Sequence, residues 1–293
     1  MSKTPKIAFI HNSLISETKL KVEELIDELE LKEMSWTSSA GELHLKEQEL
    51  LETKIAIVVG GDGTILRSSR AISPLNIPVV GIKMGKVGFM AELSPDEAKD
   101  KLINYINWSE TSASKIRIEE RMMLQANITS HNSETPRLSI HALNDITVGG
   151  TEVSRLVELE ASVNQVHLTN YRADAVIVST ATGSTGYALS AGGPIVFPEA
   201  KMMILQPVAA HTGLRDGLIL APDSLIEFQA SSSYQASISA DGFVDSILSE
   251  GEKISIKQSE YTAKFLRAEQ PDFFYTALNM RLGLAYRSQR PPE

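Results

Sequence analysis

Two stretches of this chain combine residue types that can do chemistry. The first is Val58-Val59-Gly60-Gly61-Asp62-Gly63-Thr64, three glycines around one acid at the end of the apolar run that starts at Ile55. Glycines let a backbone approach a ligand closely and present its N–H groups, and a helix start just beyond them adds a positive dipole end, so the pattern suits phosphate. A carboxylate among such donors would repel that phosphate. Asp62 must therefore serve a different purpose, either taking a proton or hydrogen bond from a hydroxyl or reaching a metal ion. The plain alternative is that Asp-Gly merely makes a turn. The second stretch runs from Ser179 through Thr182-Gly183-Ser184-Thr185-Gly186-Tyr187 to Ser190 and Pro194. It is rich in hydroxyls and small residues and suits no core strand, which leaves a linker or a folded turn-and-helix insertion that binds a ligand.

The elements that must position these stretches follow from periodicity. Lys6–Ile10 reads as a first strand, and Val22, Leu25, Ile26 and Leu29 mark the apolar face of a helix. The polar stretch 35–53 has no strong period and is left partly as loop. Residues 55–59 form a buried strand, Thr64 is expected to cap a helix to about Ser73, and Pro78-Val79-Val80-Gly81-Ile82 is another strand. This alternation implies a parallel sheet. Ser94-Pro95-Asp96-Glu97 is a capping box with proline at the first helical position, and Ala98, Leu102, Tyr105 and Ile106 give that helix its core face.

From about Ile116 to Leu266 the pattern changes to short β-rich runs, which argues for an antiparallel, sandwich-like domain. The expected runs are 122–128, 138–142, 153–168, 173–178, 225–228, 236–240 and 254–256. Asp241-Gly242 reads simply as a hairpin turn, and Phe273–Leu284 has helical periodicity. The expected division is an α/β domain over 1–110, a β-rich domain over 111–267 and a segment over 268–293 that returns to the first domain.

Composition narrows the function. The 293 residues carry a net charge of −9, with 42% apolar and 22% charged residues, which suits a globular protein of one large or two ordinary domains. The acidic balance argues against nucleic acid or an anionic membrane as partner. There is no cysteine, so disulfides, thiolate metal sites and a cysteine nucleophile are excluded. No signal-like or 18-residue apolar segment stands in the sequence, and the expected location is cytoplasmic. The Walker loop fails at Gly81–Val87, which is one residue short; the dinucleotide fingerprint fails at Gly61–Leu66, which lacks the third glycine. The six histidines are scattered without metal-ligand spacing.

Taken together, the Gly60–Thr64 loop, the run Pro78–Leu93 with Gly81-Ile82-Lys83-Met84-Gly85-Lys86-Val87-Gly88-Phe89, Asn144-Asp145, and Tyr171–Val196 resemble the NAD kinases. The Gly-Gly-Asp-Gly element alone is shared with lipid and sphingoid kinases. The Thr/Gly/Ser-rich loop is the part specific to NAD. The resemblance implies an α/β domain and a β-sandwich domain that enclose the dinucleotide, with the C-terminal helix returning to the first. It implies phosphorylation of the adenosine 2′-hydroxyl of NAD by ATP or polyphosphate, with a divalent metal, Mg²⁺, carried mostly by the phosphates. Asp62 would accept the hydroxyl proton as the oxygen attacks the γ-phosphorus, and holding that hydroxyl in line is expected to matter more than basicity.

The same resemblance places Gly63 against NAD, Arg67 near phosphate, and Asn144 and Asp145 on ribose hydroxyls. It sets Arg155, Arg172 and Asp174 near the dinucleotide, and Thr182, Thr185, Gly186, Tyr187 and Ser190 along its adenosine and nicotinamide ends. Ala209 contributes at the level of the backbone. It also implies a homodimer or homotetramer through the β domain, with some ligand contacts crossing subunits. The chain departs from the family pattern in five places: Asp145 for the usual glutamate, Lys83 for asparagine, Ala210-His211-Thr212 for Pro-His-Thr, Gly213-Leu214-Arg215-Asp216 for Leu-x-x-Arg-Pro, and Phe243 where an amide is frequent. The competing readings are a lipid or sphingoid kinase, disfavoured by the lack of a basic amphipathic segment, and a non-catalytic NAD(P)-binding sensor, disfavoured by the intact Asp62.

Overall fold

A computed structural model describes residues 6–85, 88–109, 115–130, 133, 135–151, 156–230, 236–249 and 251–282. Contacts divide the chain into two units. One comprises the segments up to Glu120 and from Lys264 onward, the other Arg121–Ala263.

The first unit begins with β1 (Lys6–His11), α1 (Ser16–Glu28), β2 (Ser35–Ser39), α2 (Glu47–Leu51), β3 (Thr53–Gly60), α3 (Asp62–Ile72), β4 (Val79–Lys83) and α4 (Pro95–Ile106). The strands lie parallel in the order β2-β1-β3-β4, with Phe9 opposite Ile57 and Ile57 opposite Val80. Being covered on both faces, β1 and β3 are apolar almost throughout. Phe9, Leu25, Ile57, Val80, Leu102 and Leu266 share one core. The capping box forms as expected: Glu97 N–H donates to Ser94 Oγ, and Ser94 N–H donates back to Glu97.

Two details differ from the sequence expectations. The stretch left as loop contains β2, an edge strand of sequence Ser-Trp-Thr-Ser-Ser, whose polar composition conceals it because only one neighbour and part of one face cover it. Helix α3 starts at Asp62, with Gly61 as its cap residue. Thr64 does not cap it. The Thr64 hydroxyl instead accepts from Asn12 Nδ2 at 3.2 Å, and Asn12 is itself held by hydrogen bonds with Thr18.

The second unit is an antiparallel sandwich. It uses β5 (Arg117–Thr129) from Arg121 onward, β6 (Leu138–Ala142), β7 (Asp145–Gly150), β8 (Val157–Val163), β9 (Val166–Ala173), β10 (Ala175–Thr180), α5 (Tyr187–Ser190), β11 (Met203–Val208), β12 (Leu218–Leu220), β13 (Ile226–Ala230), β14 (Ala236–Ala240), β15 (Phe243–Ile247) and β16 (Lys253–Arg267) as far as Ala263. One sheet has the order β12-β11-β10-β7-β14-β15. In the other, β8 lies between β9 and β13, and β13 pairs with β16. Leu124, Val148, Leu159, Val178, Phe228 and Ile238 meet between them. The run expected over 153–168 is in fact the hairpin of β8 and β9, turned by Asn164 and Gln165 at positive φ, although 152–155 lie outside the described residues. Strands β7, β11, β12 and β15 go beyond the expected runs. The glycine pair at the end of β7 and Pro207 inside β11 read locally as breakers, yet Val176 pairs opposite Pro207.

The last element, α6 (Phe273–Leu282), belongs to the first unit and buries none of its residues. Residues 283 and 284 of the expected helix lie outside the described residues. Among the described residues no helix is long and apolar enough to cross a membrane.

Candidate functional site

In the first unit the strand order creates the site. The chain leaves β1 for β2 on one side, then returns past β1 to β3 on the other, so the loops after β1 and β3 diverge and leave a crevice at the carboxyl ends of the strands. The Gly60-Gly61-Asp62-Gly63 loop lies there because it directly follows β3. Its glycines have different reasons. A methyl at Gly60 would fall 2.5 Å from Thr64 Oγ1, so internal packing demands glycine there, whereas a methyl at Gly61 or Gly63 would meet nothing within 4 Å. Those two positions keep open room for a ligand to approach the helix start.

Asp62 does not point into that backbone nest unattended. Its Oδ2 accepts from Phe89 N–H at 3.0 Å and its Oδ1 from Met90 N–H at 3.2 Å, and Arg281 Nη1 stands 3.6 Å from Oδ2. A side chain at Gly88 would collide with this carboxylate. Two backbone donors thus fix its rotamer, while a carboxylate's remaining lone pairs stay available to a hydroxyl. Arg67 lies one turn further along α3, and a methyl at Gly41 would sit 3.3 Å from its Nη1, so its guanidinium rests against the segment that follows β2. Lys83 ends β4 opposite Gly60.

The second unit assembles another cluster. Asn144 and Asp145 open β7, and their backbone is anchored by Asp241: Leu143 N–H donates to Oδ2 at 3.0 Å, and the N–H groups of Asn144 and Asp145 donate to Oδ1 at 2.6 and 3.3 Å. Asp241 and Gly242 do form the two-residue turn of a hairpin, both at positive φ. The hairpin pattern alone is incomplete, because it does not reveal a carboxylate reaching across to another strand.

The hydroxyl-rich loop folds against the same place. Ser179 Oγ and Thr180 N–H donate to Asn144 O, Thr180 Oγ1 donates to Leu143 O, and Ser184 Oγ accepts from Val196 N–H. A methyl at Gly183 would lie 2.2 Å from Asn144 O, and one at Gly186 would lie 3.5 Å from Asn144 Nδ2. Thr182, Thr185 and Gly186 are thereby brought beside Asn144, with exposed Tyr187 and Ser190 on the short helix that follows. Asn144 Oδ1 and Thr182 Oγ1 are buried without a hydrogen-bond partner. Buried acceptors left unmet cost about 1–3 kcal/mol each, so such atoms call for a bound group or water.

The other expected residues are elsewhere. Arg172, Asp174 and Ala209 cluster where Asp174 N–H donates to Val208 O and His211 N–H donates to Arg172 O. This is the opposite end of β10 from Thr180, roughly 17 Å away at about 3.3 Å per residue. Arg172 is exposed and stands 3.7 Å from Glu158, and Ala209 adopts φ 48°, a strained backbone for a non-glycine residue. Arg155 lies outside the described residues.

Asp145 has an altered titration. Burial, helped by the charge of Asp241, pushes its carboxyl up to about 7. A carboxyl whose pKa is raised in the folded state binds more protons there than when unfolded, so its contribution to stability falls as pH rises from about 4 through 7. Asp145→Asn should therefore flatten the decline in stability between pH 5 and 8. Urea unfolding midpoints measured at both pH values for both proteins check this, and an unchanged slope contradicts it.

Residues 9–110 match the model of the ATP-NAD kinase N-terminal domain and residues 143–268 that of the ATP-NAD kinase C-terminal domain. An NAD kinase of Dehalococcoides mccartyi is 34% identical over 283 residues, covering 94% of this chain and 95% of the relative. One of Chloroflexus aurantiacus is also 34% identical, over 94% and 98%. Yeast NADH kinase, solved with NADH, superposes at a TM-score of 0.82 with 23% identity over 96% of this chain and 89% of its own, a likeness of fold. An NAD kinase from Archaeoglobus fulgidus in complex with ATP gives 0.70, with 27% identity over 93% and 98%.

Proposed function

Because the chain belongs to the ATP-NAD kinase family, we propose that it transfers the γ-phosphoryl group of ATP to the adenosine 2′-hydroxyl of NAD, giving NADP and ADP. The observation that carries this reading is the Asp62 carboxylate, held by two backbone N–H groups at the mouth of a glycine loop. Asp62 accepts the 2′-hydroxyl proton while that oxygen forms its bond to the γ-phosphorus and the bond to ADP breaks. Such a transfer is governed by alignment and charge, and the fixed rotamer supplies the alignment.

The other roles follow the clusters. Gly63 lies against NAD and Arg67 offers charge to phosphate. Asn144 and Asp145 hold ribose hydroxyls, with the unmet Asn144 Oδ1 and Thr182 Oγ1 as atoms a ligand can satisfy. Thr182, Thr185, Gly186, Tyr187 and Ser190 line the two nucleoside ends. Arg172, Asp174 and Ala209, and with them Arg155, serve a dinucleotide held by a second copy of the chain in a homodimer or homotetramer. The distance of Arg172, Asp174 and Ala209 from Asn144 supports that assignment for those three residues. No group of three or more His, Cys, Asp or Glu among the described residues is placed to hold a metal. Mg²⁺ accordingly enters as the MgATP substrate complex, bound by its phosphates. The proposed location is the cytoplasm.

Purified protein incubated with MgATP and NAD should accumulate NADP, read by an NADP-specific dehydrogenase. Failure to phosphorylate NAD or NADH, with either ATP or polyphosphate, overturns the proposal.

A further inference from the structure

Helix α6 is unusual in burying none of its residues, although Phe273, Tyr275, Met280 and Leu282 are large and exposed. A helix without a buried face needs some other engagement to stay in place. Two of its residues, Phe274 and Arg281, are seven apart and so lie on one side of the helix. Both reach the segment that holds Asp62. The ring of Phe274 lies 6.1 Å from that of Phe89, and the Arg281 guanidinium carbon lies 4.4 Å from the Phe89 ring centroid. The same guanidinium stands 3.6 Å from Asp62 Oδ2, the oxygen that accepts from Phe89 N–H.

We propose that Arg281 is a positioning residue for Asp62, and that α6 is a strap that delivers it. The guanidinium stacks on Phe89 and pairs with the carboxylate that the Phe89 backbone binds, so ring, backbone donor and acid are held as one group. The side chain is only partly covered, at 39% exposure, which leaves the pair within reach of a substrate. The chemical consequence rests on the phosphoryl-transfer reading above. Without the guanidinium, Asp62 keeps the two backbone donors that fix its rotamer, but the Phe89 segment that carries them loses its tie to α6 and can shift with the carboxylate, and a small misplacement is costly to an in-line transfer.

The tests are Arg281→Gln, Arg281→Lys and Phe274→Ala. Since α6 buries no residue, all three should fold. Arg281→Gln should lower kcat roughly 10- to 100-fold with the KM for NAD changed less than about threefold. Arg281→Lys should restore part of kcat, and guanidinium chloride at low millimolar concentration should restore part of it to Arg281→Gln, which a merely structural role would not allow. Phe274→Ala should lower kcat in the same direction. Independently of turnover, amide hydrogen exchange at Phe89 and Met90 should quicken in Arg281→Gln. Unchanged kcat together with unchanged exchange overturns the proposal, and so does a rise in kcat, which would make the contact inhibitory. A wild-type protein that forms no NADP would refute the kinase reading instead, and the exchange measurement would still decide whether Arg281 holds Asp62.

Discussion

Asp62→Asn lowers NADP formation by about 10²- to 10⁴-fold in kcat while NAD still binds, the range associated with loss of a positioned proton acceptor. The substitution removes the negative charge and one of two acceptor oxygens. An asparagine at this position can accept from Phe89 N–H or from Met90 N–H, but its amide nitrogen must then face the other donor. One backbone N–H is therefore left unmet, at a local cost of about 1–3 kcal/mol, and Arg281 loses its charged partner. The variant should consequently show both a loss of turnover and a small fall in melting temperature, with NAD affinity measured by calorimetry within a few-fold of wild type. Turnover within threefold of wild type would mean that Asp62 takes no proton.

The largest effect on stability is expected at Arg267. This residue is buried in the first unit between Glu92 and Glu119, at 3.1 and 3.3 Å. Burial alone would push the guanidinium down, but the two carboxylates outweigh it and the net direction is up. Glu92 also accepts from Tyr105 OH and from Ala268 N–H, and burial together with that carboxylate pushes the Tyr105 phenol up. Arg267→Met leaves the buried Glu92 carboxylate without that guanidinium, while Glu119 keeps Arg117 at 3.4 Å, and breaking such a group on one side costs about 3–5 kcal/mol. For a domain of this size that lowers the melting temperature by about 10 °C. Replacing Arg267 and Glu92 together by apolar residues should recover part of the loss, because the carboxylate goes with its guanidinium while Glu119 keeps Arg117. A single variant as stable as wild type would show that the three groups are not paired in solution. Since Ala268 is tied to Glu92 just before α6 begins, loosening this cluster should also weaken the Arg281 contact.

Much of the first unit was legible in sequence because its signals are local. A strand that is buried on both faces must be apolar along its length, and the Ser94 box and the glycines after β3 announce themselves within a few residues. The start of α3 was less legible: Thr64 has the composition of a cap, but its hydroxyl is occupied by Asn12, which sequence distance hides. In the second unit the hydroxyl-rich stretch was readable as something other than a core strand only from Ala181 onward, since Ser179 and Thr180 are the buried end of β10, their hydroxyls bonded to the carbonyls of Asn144 and Leu143. The strands around it were partly hidden, because glycine and proline can stand in a sheet when neighbouring strands supply the pairing they lack.

The residues of this chain by themselves determined the alternation that makes a parallel sheet, the change to a sandwich, and the acid among glycines that requires a hydroxyl or a metal to explain it. Each is a consequence of side-chain size, polarity and backbone freedom within one segment. The tertiary structure alone decided what holds the chemistry in place. Asp62 is fixed by Phe89 and Met90 and met by Arg281, Asp241 pins the backbone of Asn144 and Asp145, and Gly183 is glycine because Asn144 O leaves no room for a methyl. These are interactions between segments far apart in the chain, whose geometry exists only once the strands have found their register, so no local pattern of residues could encode them.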